Sequence, residues 1–303
     1  MKTFSLKIST VILFTAACAA ANAQQIYKIS QYMERSFIHN PAAAGANNCT
    51  TIGATYRTQW SGISGAPKTV LAYGDTYFSS MHAGAGIVVY SDKTGPTSRT
   101  GGELNISYSI KLDGDEKRLM FGIGGEIIQY KVDKGKIASS IPDDPLLASG
   151  GTATKGDASA GVYYRSPTFN IGASVKQLIQ SKLNFIANGT NIDGRLYRQY
   201  FLVTSYNLRT DESNVLIPHF ELRYQPNAPV DFEGGVLLQH KDFIHFGVSA
   251  HYKQSYTLFL GLKLAHKLLI GYAYDNYKTP VSDFDDGHGA HEITLRYFFT
   301  KKK

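Results

Sequence analysis

Apolar and polar side chains alternate with a period of two through most of this chain, which leaves little room for anything but β-structure. In TGGELNISYSIKLDGD, residues 100–115, Leu104, Ile106, Tyr108, Ile110 and Leu112 share one face, and Glu103, Asn105, Ser107, Ser109 and Lys111 share the other. Successive side chains of a strand point to opposite sides, so this segment is a strand with one apolar and one polar surface. The pattern recurs in TFNIGASVK (168–176), FIHFGVSAHY (243–252) and YTLFLGLKL (256–264). No stretch reads as an amphipathic helix of any length.

Fourteen strands are expected, near 50–59, 69–77, 83–92, 102–113, 117–130, 157–165, 168–177, 198–208, 214–224, 230–240, 243–253, 255–265, 267–276 and 288–299. Polar turns as short as RSP (165–167) and AHK (265–267) join some of them, and longer links rich in Gly, Pro, Asp and Asn (131–156, 178–197, 277–287) join others. These are hairpin connections. Two architectures accept so many amphipathic antiparallel strands. A soluble sandwich packs its apolar faces together and uses strands of about five or six residues. A transmembrane barrel turns those faces to lipid, takes an even strand number and needs about 9–11 residues per crossing. The segments here are mostly nine to twelve residues long and even in number, with Gly, Ser, Thr, Lys, His and Glu on the polar face. The expected fold is therefore all-β, a transmembrane antiparallel barrel of about fourteen strands over residues 49–300. Tyr252, Tyr256, Tyr272 and Tyr274 at the ends of apolar rows suit an interfacial aromatic girdle.

The leading segment places Lys2 and Lys7 before an apolar run, Ile8–Ala20, and an Ala21-Asn22-Ala23 cleavage site, so residues 1–23 read as a secretory signal peptide. Cys18 leaves with it and Cys49 is the sole remaining thiol, which excludes an internal disulfide. No later run of 18 or more apolar residues offers a helical anchor. An exported chain of alternating strands belongs in a Gram-negative outer membrane. The formal charge of +7 is scattered apart from the basic tail 301–303, with no patch suited to nucleic acid.

Between signal and first strand, residues 24–48 are not strand-like and contain ISQYMERSFIHNPAAAGANN. Ser30-Gln31-Tyr32-Met33 followed by Asn40-Pro41-Ala42-Ala43-Ala44-Gly45 resembles the opening of the PorP/SprF family of the Bacteroidetes type IX secretion and gliding system. The family's Y-R-x-Q-W strand and G-A-P-x-T turn are matched by Tyr56-Arg57-Thr58-Gln59-Trp60 and Gly65-Ala66-Pro67-Lys68-Thr69. SDKTGP (91–96), YDN (274–276) and HEITLRY (291–297) follow in family order. The family's Asp-Pro before the S-Q-Y stretch is absent, the chain reading QQIYKI there. The resemblance implies an outer-membrane component of the type IX apparatus. The partners it implies are subunits of a periplasmic ring or a peptidoglycan-linked lipoprotein, and a large secreted adhesin with a C-terminal sorting domain.

Catalytic chemistry finds no support: G-x-S-x-G, H-E-x-x-H and C-x-x-C are all absent. His245 and His251 share one strand face but stand roughly 20 Å apart along it, too far for joint ligation. In SDFDDGHGAH (282–291), Asp283, Asp285 and Asp286 lack the ligand spacing of a calcium loop and read as a solvated turn. No cofactor or metal is expected. NPAAAG is expected to turn tightly inside the barrel as a plug, the alternative being a periplasmic lead-in. Arg57 and Asp75, with Glu292 and Arg296 of the last strand, are expected to form a charged network near the barrel seam; Trp60 belongs either with it or in the girdle. The candidate plug or partner contacts are Gln31, Tyr32, Asn40, Pro41, Gly45, Arg57, Trp60, Asp75, His291 and Glu292. Removing residues 27–45 is expected to leave a folded barrel that no longer supports its partner. The expected function is a non-enzymatic secretion component that contacts outer-membrane lipid and docks periplasmic machinery. The alternatives are a diffusion porin or small-molecule transporter and, third, a soluble carbohydrate-binding sandwich.

Overall fold

The computed structural model describes residues 27–31, 36–113, 116–133, 135, 151–187, 190–279 and 281–299. The expected signal peptide (1–23), Tyr32 and the basic tail (301–303) lie outside the described residues. The first seven strands are β1 (Thr50–Gln59), β2 (Lys68–Phe78), β3 (Ala83–Thr94), β4 (Thr97–Asp113), β5 (Lys117–Val132), β6 (Thr152–Arg165) and β7 (Phe169–Lys176). A separate hairpin, β8 (Lys182–Ala187) and β9 (Thr190–Arg195), precedes β10 (Gln199–Tyr206) and the two-residue β11 (Leu208–Arg209). The remainder are β12 (Asn214–Tyr224), β13 (Asp231–His240), β14 (Ile244–His251), β15 (Ser255–Leu264), β16 (Leu268–Tyr277) and β17 (Ala290–Phe299).

Each barrel strand pairs antiparallel with its neighbours in chain order. β10 joins β12, and β1 joins β17 from Thr50↔Phe299 to Gln59↔Ala290, closing a ring of fourteen strands. Closure removes the open edges that lipid would not tolerate. All fourteen expected strands are present. The link 178–197, read from sequence as a loop, instead holds the β8–β9 hairpin, whose Leu183 packs with Ile128, Ala153 and Leu196 above the lumen.

Burial inverts that of a soluble protein. On β4, Leu104 and Ile106 are more than 60% exposed while Glu103, Asn105, Ser107 and Ser109 are 2% or less. The apolar row therefore meets lipid and the polar row meets the lumen. Two aromatic belts bound the apolar band. Tyr56, Tyr200, Tyr224, Tyr252, Tyr256 and Tyr272 are exposed near one end of the strands, and Phe78, Tyr108, Phe121, Tyr206, Phe243 and Phe299 near the other.

The two ends differ. One carries only turns of seven residues or fewer (79–82, 114–116, 166–168, 207–213, 241–243, 265–267) and both ends of the barrel chain. The other carries the long connections 60–67, 133–151, 177–198 and 278–289. Short turns are the periplasmic signature of such barrels, so the long connections mark the outer end. β4, β5 and β6 run 17, 16 and 14 residues, beyond what a membrane crossing needs, and stand above the outer rim. Their outward faces there turn polar, with Thr100, Gln129, Lys131 and Thr154 exposed. Among the described residues no helix is long and apolar enough to cross a membrane.

Candidate functional site

The lumen is occupied by the chain's own N-terminal segment. Tyr27 lies beneath the outer mouth, its ring 4.6 Å from that of Tyr90 and 5.6 Å from the Arg99 guanidinium. By Ala46 the segment has reached the periplasmic half, where Arg118 Nη2 donates to the Ala46 carbonyl at 3.0 Å. Two 3₁₀ turns, Ser36–Ile38 and Pro41–Ala43, form its lower part.

Asn40–Gly45 rests in a socket built from small wall residues. Gly84, Ser107, Gly122, Gly161 and Ser174 are successive register partners across β3, β4, β5, β6 and β7, so they form one row around the wall. The plug lies along this row. A Cβ on Gly84 would strike the Ala44 carbonyl, one on Gly122 the Ala42 backbone, and one on Gly161 the Asn40 amide. Ser107 Oγ donates to the Ala44 carbonyl and Ser174 Oγ to the His39 carbonyl, both at 2.7 Å. Asn40 Oδ1 caps the second 3₁₀ turn by accepting the Ala42 N–H at 2.9 Å, and Pro41 takes the first position, where a missing N–H costs nothing. Asn40 Nδ2 donates to the wall carbonyls of Val162 (2.9 Å) and Ala173 (3.3 Å). Gly45 adopts φ +72°, open to glycine and strained for other residues.

Charged wall residues hold the rest of the segment. Arg57, 1% exposed, reaches Asp275 at 2.5 Å and Glu292 at 3.3 Å. Ser30 is bound into this cluster: its N–H donates to Glu292 at 2.7 Å, its hydroxyl to Asp275 at 2.8 Å, and Arg57 Nη1 donates to that hydroxyl at 2.6 Å. Lys28 Nζ contacts His251 Nδ1, which bonds Asp231 through its other nitrogen. Lys176 links the Ile38 carbonyl (2.9 Å) to Glu103 (2.6 Å). His39 Nδ1 meets the Glu221 carboxylate at 2.7 Å, and its ring stacks on Phe201 at 4.9 Å. A buried charge needs a partner to be tolerated, as Arg57 has in Asp275 and Glu292 and Lys176 has in Glu103.

The residues singled out from sequence separate into groups. Gln31, Asn40, Pro41 and Gly45 are buried in the plug, Gln31 lying over Gly271. Arg57 and Glu292 meet as expected, but Asp75 does not join them. It lies toward the periplasmic end of β2, accepting the Gly45 N–H at 3.0 Å and the Thr51 hydroxyl. Trp60 does not continue the strand alternation. It takes a left-handed φ of 51°, ends β1 and packs beside Tyr277 at 6.1 Å between ring centres, at the outer rim. His291 faces outward, its Nδ1 2.7 Å from the Tyr272 hydroxyl, and so belongs to the outer aromatic belt, not the plug. In the 282–291 loop Asp285 is buried, accepting the Gly62 N–H at 2.9 Å and that of Gly289; it fastens two outer loops together. Among the described residues no group of three metal-binding side chains occurs. Sequence reasoning missed Asp275, Glu103, Glu221, Lys176 and the socket glycines. Their signal was present: each falls on the inward side of an alternating strand.

Beneath the plug a cavity of about 530 Å³ opens at the periplasmic end. Phe37, Ala43 and Ala46 roof it, and Arg165, Arg209, Lys263, Arg296 and His245 stand on its walls. Its carboxylates are Asp75, engaged as above, and Asp242, which takes Lys263 Nζ at 2.8 Å and His266 Nδ1 at 3.1 Å. Partial burial by itself would raise the Asp242 carboxyl, but these hydrogen bonds outweigh it and hold the group below its ordinary range.

Comparison with solved structures finds outer-membrane proteins. The Ralstonia pickettii toluene transporter TbuX has a TM-score of 0.52 and 10% identity over 88% of this chain and 93% of that one. The CymD monoaromatic hydrocarbon channel gives 0.51 and 10% over 95% and 97%, and a Pseudomonas aeruginosa FadL homologue 0.50 and 12% over 86% and 93%. At such identity the likeness is one of fold. No curated protein matches the chain. The family model for the type IX secretion system membrane protein PorP/SprF matches residues 21–297. Nearly the whole barrel and its plug are thus covered by one family, and the chain belongs to PorP/SprF.

Proposed function

We propose that the protein is a plugged, non-enzymatic outer-membrane component of the type IX secretion system. It holds periplasmic subunits of that apparatus at its inner end and supports export or surface attachment of a large adhesin with a C-terminal sorting domain. The observation that carries this reading is the plug. A diffusion porin or small-molecule transporter needs a continuous path, and here a segment fastened to β4, β7, β12, β16 and β17 occupies the lumen. Family membership supports the secretion role. The barrel likeness to hydrocarbon channels concerns fold and leaves transport with those proteins.

The test combines two measurements on the tagged protein, gently solubilised from outer membranes. Planar-bilayer recording should show no steady conductance, and mass spectrometry of the co-purified material should recover type IX periplasmic subunits or a C-terminally sorted adhesin. A protein that comes out alone and conducts steadily would overturn the reading in favour of the porin.

A further inference from the structure

We propose that the cation-lined cavity beneath the plug receives an acidic, extended segment of a periplasmic partner; this rests on the docking role proposed above and gives that role a site. Charge is segregated along the lumen. In the outer half cations and carboxylates are matched, Arg57 against Asp275 and Glu292, and Lys176 against Glu103. In the periplasmic half the cavity wall carries Arg165, Arg209, Lys263 and Arg296 against two carboxylates already engaged within the chain. Among the described residues no carboxylate lies within ion-pair distance of Arg165 or Arg209.

Arg165 and Arg209, left without a carboxylate in a cleft with low-dielectric walls, focus a positive potential at its mouth and draw anions in. A cavity of about 530 Å³ has the size of a ligand site, large enough for several residues of extended chain. Asn47 and Gln239 add amide groups on the same walls for a peptide backbone. The basic tail of this chain, Lys301–Lys303, carries the cavity's own sign, so it is a poor occupant. A segment rich in Asp or Glu, arriving from the periplasm, has the complementary charge.

The test uses the full-length protein in nanodiscs and a fluorescent (Glu-Ser) repeat peptide, with a (Lys-Ser) repeat as control. The acidic peptide should bind in a salt-sensitive manner and the basic one should not. R165E/R209E should weaken binding by about tenfold or more, and R165Q/R209Q by less. K93E, outside the cavity at the outer end, should leave it unchanged. Heat-modifiable migration of each variant verifies that the barrel is folded. In cells, a photo-crosslinking residue at Val215 on the cavity wall should capture a periplasmic subunit through a stretch rich in Asp and Glu. Equal affinity for both peptides, or insensitivity to R165E/R209E, overturns the proposal. So does absence of the Val215 adduct while periplasmic subunits still co-purify, an outcome that leaves docking itself standing. Loss of co-purification altogether removes the docking role, and this site with it.

Discussion

Arg57 and Arg118 are the largest side chains with almost no exposure among the described residues, and the charge of Arg57 is tolerated because Asp275 and Glu292 sit against it. Removing Asp275 takes away its nearest anion and the acceptor of the Ser30 and Thr257 hydroxyls together. Asp275→Ala should therefore cost about 3–5 kcal/mol, the usual penalty for orphaning a buried ion-pair partner, read as a lower unfolding midpoint in urea. Asp275→Asn, which keeps the size, should recover part of it. Glycines give a sharper contrast. Gly122 faces the plug and Gly125 faces open space on the lipid side of the same strand. Gly122→Val should expel the Asn40–Gly45 turn and expose it to protease, while Gly125→Val should leave the digestion pattern of the native protein. The inward side of each strand was legible in the alternation, so the socket glycines stood in plain sight. What the period does not carry is depth: that Gly84, Gly122 and Gly161 share one level depends on strand register.

Strand positions followed from a local signal, and the fourteen expected segments differ from the observed ones mainly at their ends. The largest differences come from β4 and β6, whose outer ends lose the apolar alternation once they leave the membrane. β8 and β9, six residues each, are too short to span and lie within a link rich in Asn and Gly, so nothing in the pattern set them apart. The path of the plug was not legible, because 3₁₀ turns have no usable period and the contacts that fix them are remote. Asn40 bonds Ala173, 133 residues away. Barrel and plug are nevertheless separable elements. Glu103, Lys176, Glu221 and Asp275 point into a lumen that water fills once the segment is gone, and hydration then replaces the lost partners. Deleting residues 27–45 should leave a barrel that still shifts on heating but conducts in a planar bilayer and no longer retains its partners. A deletion that stays closed would mean the outer hairpin, not the plug, seals the lumen.

At the scale of the whole molecule the direction of the barrel decides what each end can meet. The short turns, the start of β1, the end of β17 and the cationic cavity lie together, and the long loops with buried Asp285 lie opposite. Two exposed apolar residues mark these ends: Met81 in the turn after β2, 59% exposed, and Phe284 in the loop before β17, 76% exposed. In a Cys49→Ser background, Phe284→Cys should react with a membrane-impermeant maleimide on intact cells. Met81→Cys should react only after the outer membrane is permeabilised. Both positions lie outside the lipid band, so the labelling reports sidedness without perturbing a strand. The reverse pattern would turn the cation-lined cavity toward the cell surface, where it would meet an exported adhesin before any periplasmic subunit, and the docking end would have to be sought among the long loops.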